Sequence, residues 1–117
     1  MPEPRETPGA ADPAVRVPEN TASGLAAVPT VQIDNDRVRV TEWRFAPGAA
    51  TDWHRHELDY VVVPLSTGRL ASRTADGMTT ADLVTGQAYF RTRGAEHDVV
   101  NVNPHEFAFV EVEIRQP

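Results

Sequence analysis

From Val31 to Ile114 the chain runs as short apolar stretches broken by turn residues, and no segment carries a helical period. Val31 and Ile33 lead into Asp34-Asn35-Asp36, and residues 37–45 read as a strand closed by Pro47-Gly48. Residues 60–65 form a nearly continuous β-branched run. Pro64 inside it has no N–H to give to a ladder, which predicts an edge or a bulge at that point. Ser66-Thr67-Gly68 turns the chain into a strand over 69–74, Asp76-Gly77 signals a hairpin, and 79–84 returns. Further strands are predicted over 88–91, 97–102 and 106–114. In the last of these Ala108, Val110, Val112 and Ile114 alternate with Phe107, Phe109, Glu111 and Glu113. Turn signals at this spacing predict an all-β sandwich or barrel.

Before residue 30 the pattern stops. Residues 1–29 hold six of the ten prolines, many alanines and no aromatic residue. Such a segment buries too little apolar surface to offset its ordering entropy. The expectation is a flexible Pro/Ala-rich tail over 1–29 and a single domain over 30–117. A sharper alternative makes the tail an arm that orders on a partner subunit.

Composition narrows the function classes. A chain of 117 residues has room for one modest core. It has no cysteine, so disulfides and thiolate metal sites are excluded. The net charge of −6 argues against an electrostatic grip on nucleic acid or an anionic membrane. No apolar run approaches a membrane span, and the first twenty residues lack the basic-then-apolar pattern of a secretory signal. The expectation is a cytoplasmic protein that binds a small molecule.

Three of the four histidines fall in two short motifs, Gly48-x5-His54-x-His56 and Gly86-x7-Gly94-x2-His97-x3-Asn101. Side chains alternate across a strand, so His54 and His56 share a face. With His97 arriving from a distant strand, three imidazoles can hold a divalent transition metal and leave coordination positions open. Alone, the His-x-His pair is better explained as an accident of a polar strand face; the second motif shifts the balance to metal. Gly48, Gly68, Gly86 and Gly94 read as turn positions where a side chain would clash. Asn101 reads as a loop-tying hydrogen-bonder, His105 as a surface residue, and Arg55 as pointing away from the histidine face. Arg44 and Arg91, on strands flanking the motifs, are candidates for clamping a substrate carboxylate, against the plainer reading of two solvated arginines.

Both segments resemble the two motifs of the cupin superfamily, G-x5-H-x-H-x3,4-E-x6-G and G-x5-P-x-G-x2-H-x3-N. Gly48, Gly86, Gly94, the three histidines and the final asparagine match in place, and Gly68 follows Tyr60 one residue later than the motif's spacing. Thr92 stands where the second motif has proline, and Tyr60 where the first has its glutamate ligand. The resemblance implies a double-stranded β-helix, a jelly-roll barrel, with one divalent metal (iron, manganese, nickel or zinc) on His54, His56 and His97. It also implies a metal-dependent enzyme, an oxygenase (hence an oxidoreductase), isomerase or lyase, acting on a small organic acid. The alternative is a non-catalytic cupin that binds or senses a metabolite.

Tyr60 has three readings: a hydrogen-bond donor beside the metal, a direct phenolate ligand, or a packing residue while Glu57 or Asp59 supplies a carboxylate. Alternation from His56 favours the first, with both acids outward. Over TEWRFAPG, WHRHELDYVVVPL and GQAYFR the chain is similar to small single-domain cupins associated with β-alanine degradation, which implies a small carboxylate or amine-derived metabolite. Such cupins are often dimeric. A homodimer is expected, paired through strand edges, the faces of the last strand, or the tail near Leu25.

Overall fold

The computed structural model describes residues 6–7 and 25–116. They form ten strands and no helix: β1 (Glu6–Thr7), β2 (Val28–Asp34), β3 (Val38–Phe45), β4 (His54–Arg55), β5 (Asp59–Pro64), β6 (Gly68–Thr74), β7 (Gly77–Leu83), β8 (Tyr89–Arg91), β9 (Glu96–Asn101) and β10 (Phe107–Ile114). Two five-stranded antiparallel sheets result, ordered β1-β7-β6-β9-β4 and β2-β3-β10-β5-β8. This is the expected double-stranded β-helix.

The domain starts earlier than residue 30. β2 begins at Val28, Ala27 is buried, and its N–H donates to Ala50 O at 2.9 Å. Residues 25–29 therefore belong to the barrel, because an apolar step and a strand partner are available to them. Glu6–Thr7 pairs with β7. The rest of the expected tail lies outside the described residues.

Pro64 marks a local edge rather than a bulge. Leu65 N–H bonds to Ala108 on β10, so Pro64 faces the other neighbour, where β8 pairs only with Tyr60–Val62. The missing donor falls past the end of the ladder, and Pro64 O accepts instead from Gly86 N–H at 2.8 Å. A bulge does occur in β2. Register shifts between Val31, opposite Thr41, and Ile33, opposite Val40, so two residues that alternation puts on one face go to opposite faces.

Register across the second sheet sorts its residues into rows. On the inner face lie Arg91-Tyr60-Glu113-Arg39, then Tyr89-Val62-Glu111-Thr41-Val31, then Pro64-Phe109-Trp43-Pro29. Beyond them Phe107 faces Phe45, and Phe45 packs on Phe109 at 5.5 Å between rings. These aromatics join Leu70, Leu83 and Val99 of the opposite sheet in the core. The aromatic end is filled, while the other end opens into a cavity of about 660 Å³.

The glycines act for two different reasons. A Cβ on Gly68 would lie 2.6 Å from Asn103 Oδ1, so there a side chain clashes as expected. At Gly94 a Cβ meets nothing, and the constraint is instead its φ of +104°.

Candidate metal centre

Two backbone devices bring the motifs together. His54 on β4 lies directly opposite His97 on β9. Past the end of β4, His56 N–H donates to Ala95 O at 2.9 Å, and His56 O accepts from Gly94 N–H at 2.8 Å. Gly94 makes the turn that leads into β9 at a φ of +104°. The three imidazoles converge by their Nε2 atoms, His54 to His56 at 3.0 Å and His56 to His97 at 3.1 Å. Metal–nitrogen bonds of about 2.1 Å at a right angle would separate two nitrogens by about 3.0 Å. Two of the three separations therefore match ligands of one ion, all three imidazoles offer a nitrogen within 4.8 Å of the others, and all three line the cavity.

Tautomer and protonation suit that role. His54 Nδ1 lies 2.9 Å from Asp52 O and 3.3 Å from Thr51 Oγ1. An Nδ1–H given to that carbonyl leaves the Nε2 lone pair for a metal. Asp52 reaches this position with a φ of +71°, a conformation few non-glycine residues adopt. Burial, reinforced by His54, holds His56 down to about 4. Burial, then His54, His56 and Arg91, holds His97 down to about 3. Both imidazoles are thus neutral at physiological pH, the form a metal binds.

The neighbouring candidates separate clearly. Tyr60 is 3% exposed, and its ring stacks on His56 with centroids 4.0 Å apart and planes 20° from parallel. It braces one flank of a ligand ring. Neither nearby acid turns inward: Glu57 is exposed beside Arg55, and Asp59 accepts the Arg93 N–H at 2.8 Å. Arg44, one of the two expected clamps, stands outside the cavity. It lies on the outer face of β3, held by Glu42 at 2.7 Å and Glu106 at 2.8 Å, because the cavity takes the odd-numbered positions Arg39, Thr41 and Trp43. Arg91 does line the cavity, lying over the Tyr89 ring at 5.1 Å. Arg55 is exposed between Glu57 and Glu96, and His105 is exposed. Asn101 ties loops as expected, its Nδ2 donating to the carbonyls of Phe45, Ala46 and His105 and its Oδ1 accepting from Asn103.

No family model matches the chain. It is 62% identical over 89 residues to the β-alanine degradation protein BauB of Pseudomonas aeruginosa PAO1, across 76% of this chain and 94% of that protein. The chain belongs to the BauB family of cupins. A cupin domain from Bordetella pertussis Tohama I has the same fold at a TM-score of 0.78 and 55% identity, covering 79% of this chain and 96% of that one. A double-stranded β-helix protein from Klebsiella pneumoniae matches at a TM-score of 0.64 with 22% identity, over 86% and 83% of the two chains, and supports the fold alone.

In this BauB-family barrel the cavity holds residues that pattern reading passed over. Thr51 and Asp52 orient His54, and no spacing rule points to them. Glu111 lines the cavity at 8% exposure, and Arg39 and Glu113 stand beside it on the same inner face. Its signal was present in the sequence: an acid in step with Phe107 and Phe109 is an acid directed inward.

Proposed function

We propose that this BauB-family cupin is a metal-dependent enzyme, of oxygenase, isomerase or lyase type, acting on a small organic acid or amine-derived metabolite. One observation carries the reading: three imidazoles gathered with ligand nitrogens within 4.8 Å at the wall of a cavity large enough for a small metabolite. His54, His56 and His97 would hold iron, manganese, nickel or zinc, the set that imidazole and a mixed nitrogen–oxygen shell suit. Such an ion supplies Lewis-acid polarisation of a bound oxygen or carbonyl. Asp52 O fixes the His54 tautomer, Tyr60 keeps the His56 ring in its plane, and Arg91 offers a guanidinium to a substrate carboxylate. The β-alanine degradation named for the P. aeruginosa relative agrees with a small carboxylate or amine-derived substrate. We propose further that the protein works as a homodimer.

A second reading is a metabolite-sensing cupin without turnover. It is favoured by Tyr60 in the place of a carboxylate ligand: among the described residues only the three histidines gather at the site. The test is product formation from a panel of small amino and oxo acids, followed by NMR. Turnover that disappears with a chelator and returns with one divalent ion supports the enzyme. Tight binding without product supports the sensor.

A further inference from the structure

Glu111 is an acid that the barrel has no internal use for. Its side chain is on the inner face of β10, 8% exposed, between Phe109 and Glu113, and it lines the cavity. Among the described residues no hydrogen bond reaches its carboxyl group. Burial first, then the like charge of Glu113, pushes its pKa up to about 7, with Arg39 opposing. An inward acid that accepts no hydrogen bond costs stability that an apolar Leu at this position would not cost. Costs of this kind persist where a ligand supplies the missing partner.

Charge along the cavity wall says which partner. Tyr60 lies opposite Glu113, and Glu111 is its diagonal neighbour. On the other side of Tyr60 lies Arg91. The wall thus runs from a guanidinium beside the histidines, across a tyrosine, to a pair of carboxyl groups, with Arg39 beyond Glu113 at the far side. Arg91 and Glu111 stand two strands and two residues apart, about 12 Å between backbones, and their side chains reduce that gap to the length of a short carbon chain. We propose that Glu111 selects an amine, accepting hydrogen bonds from the ammonium group of a small amino acid whose carboxylate lies toward Arg91 and the histidines. The proposal rests on the reading that this cavity is the ligand site. An arriving ammonium draws Glu111 to its ionised form, so the bond formed is charge-assisted.

The test is calorimetric titration of the metal-loaded full chain with ω-amino acids of roughly two to five carbons, each beside its unsubstituted acid and its hydroxy acid. One charge-assisted bond predicts a preference of about tenfold or more for the amino acid of fitting length. Glu111→Gln should abolish that preference, bind the unsubstituted acid as the parent does, and keep its metal. Glu111→Asp should keep part of the preference. An unchanged preference in Glu111→Gln overturns the proposal. So does a hydroxy acid bound as tightly as the amino acid, or binding of no pair at all. The titrations are repeated on chelated protein. An amine preference that survives there, with no metal found in the untreated chain, contradicts the metal reading and leaves this one standing.

Discussion

At the scale of single residues, the site was legible wherever a residue's role follows from spacing. His54, His56 and His97 could be found from two motifs because register fixes which side chains share a face. Thr51 and Asp52 could not, because a backbone carbonyl turned by a positive φ leaves no trace in residue type. Arg44 and Arg91 looked alike in sequence, and only the register of β3 sends Arg44 outward. Tyr60→Phe should retain the bound metal, since the ring still stacks on His56, while changing ligand affinity or turnover; metal analysis beside ligand titration checks both. Glu111 gives a stability prediction with a definite sign. Its pKa rises from 4.5 to about 7 on folding, so between those values the folded chain keeps a proton that the unfolded chain has released. Stability should fall as pH rises through that window. Glu111→Gln should therefore be more stable than the parent at pH 8, by roughly 1–3 kcal/mol, and show no such gain at pH 4. Urea titrations at the two pH values measure this.

At the scale of elements, the strands with clear alternation and clean turns, β3, β6, β7 and β10, lie within a residue or two of their predicted bounds. β4 was legible only through its histidines, because two residues carry no period. The bulge at Gln32 was invisible for a related reason: Val31-Gln32-Ile33 alternates perfectly while the ladder slips. Pro64 was informative about a missing donor and silent about which side of the strand lacked a neighbour. Asn101 holds the junctions between elements, fully buried and bonded to three carbonyls and to Asn103. Asn101→Ala would strand several of those groups, each costing about 1–3 kcal/mol when buried. A loss of roughly 3 kcal/mol or more is expected in chemical denaturation, and a loss below 1 kcal/mol would refute the loop-tying role.

At the scale of the whole molecule, the outer face of the second sheet bears on assembly. Register lines up Ile33, Val40, Val112, Val61 and Phe90 in one apolar row across five strands, with Ile33 and Phe90 47% and 44% exposed. The Phe107 and Phe109 face expected to help pairing is consumed by the core, so the outer row and the β2 edge are the surfaces offered to a second copy. Light scattering at micromolar concentration should give twice 12.8 kDa, and Val112→Glu should return the mass to 12.8 kDa. A parent chain already at 12.8 kDa would contradict the dimer. The barrel brings His97 on β9 together with His54 on β4 and His56 just past its end. The metal content of the chain purified without added metal, beside His97→Ala, tests that claim most directly. Close to one divalent ion per parent chain and almost none in a folded His97→Ala is the expected result; equal metal in both would contradict a shared three-histidine site.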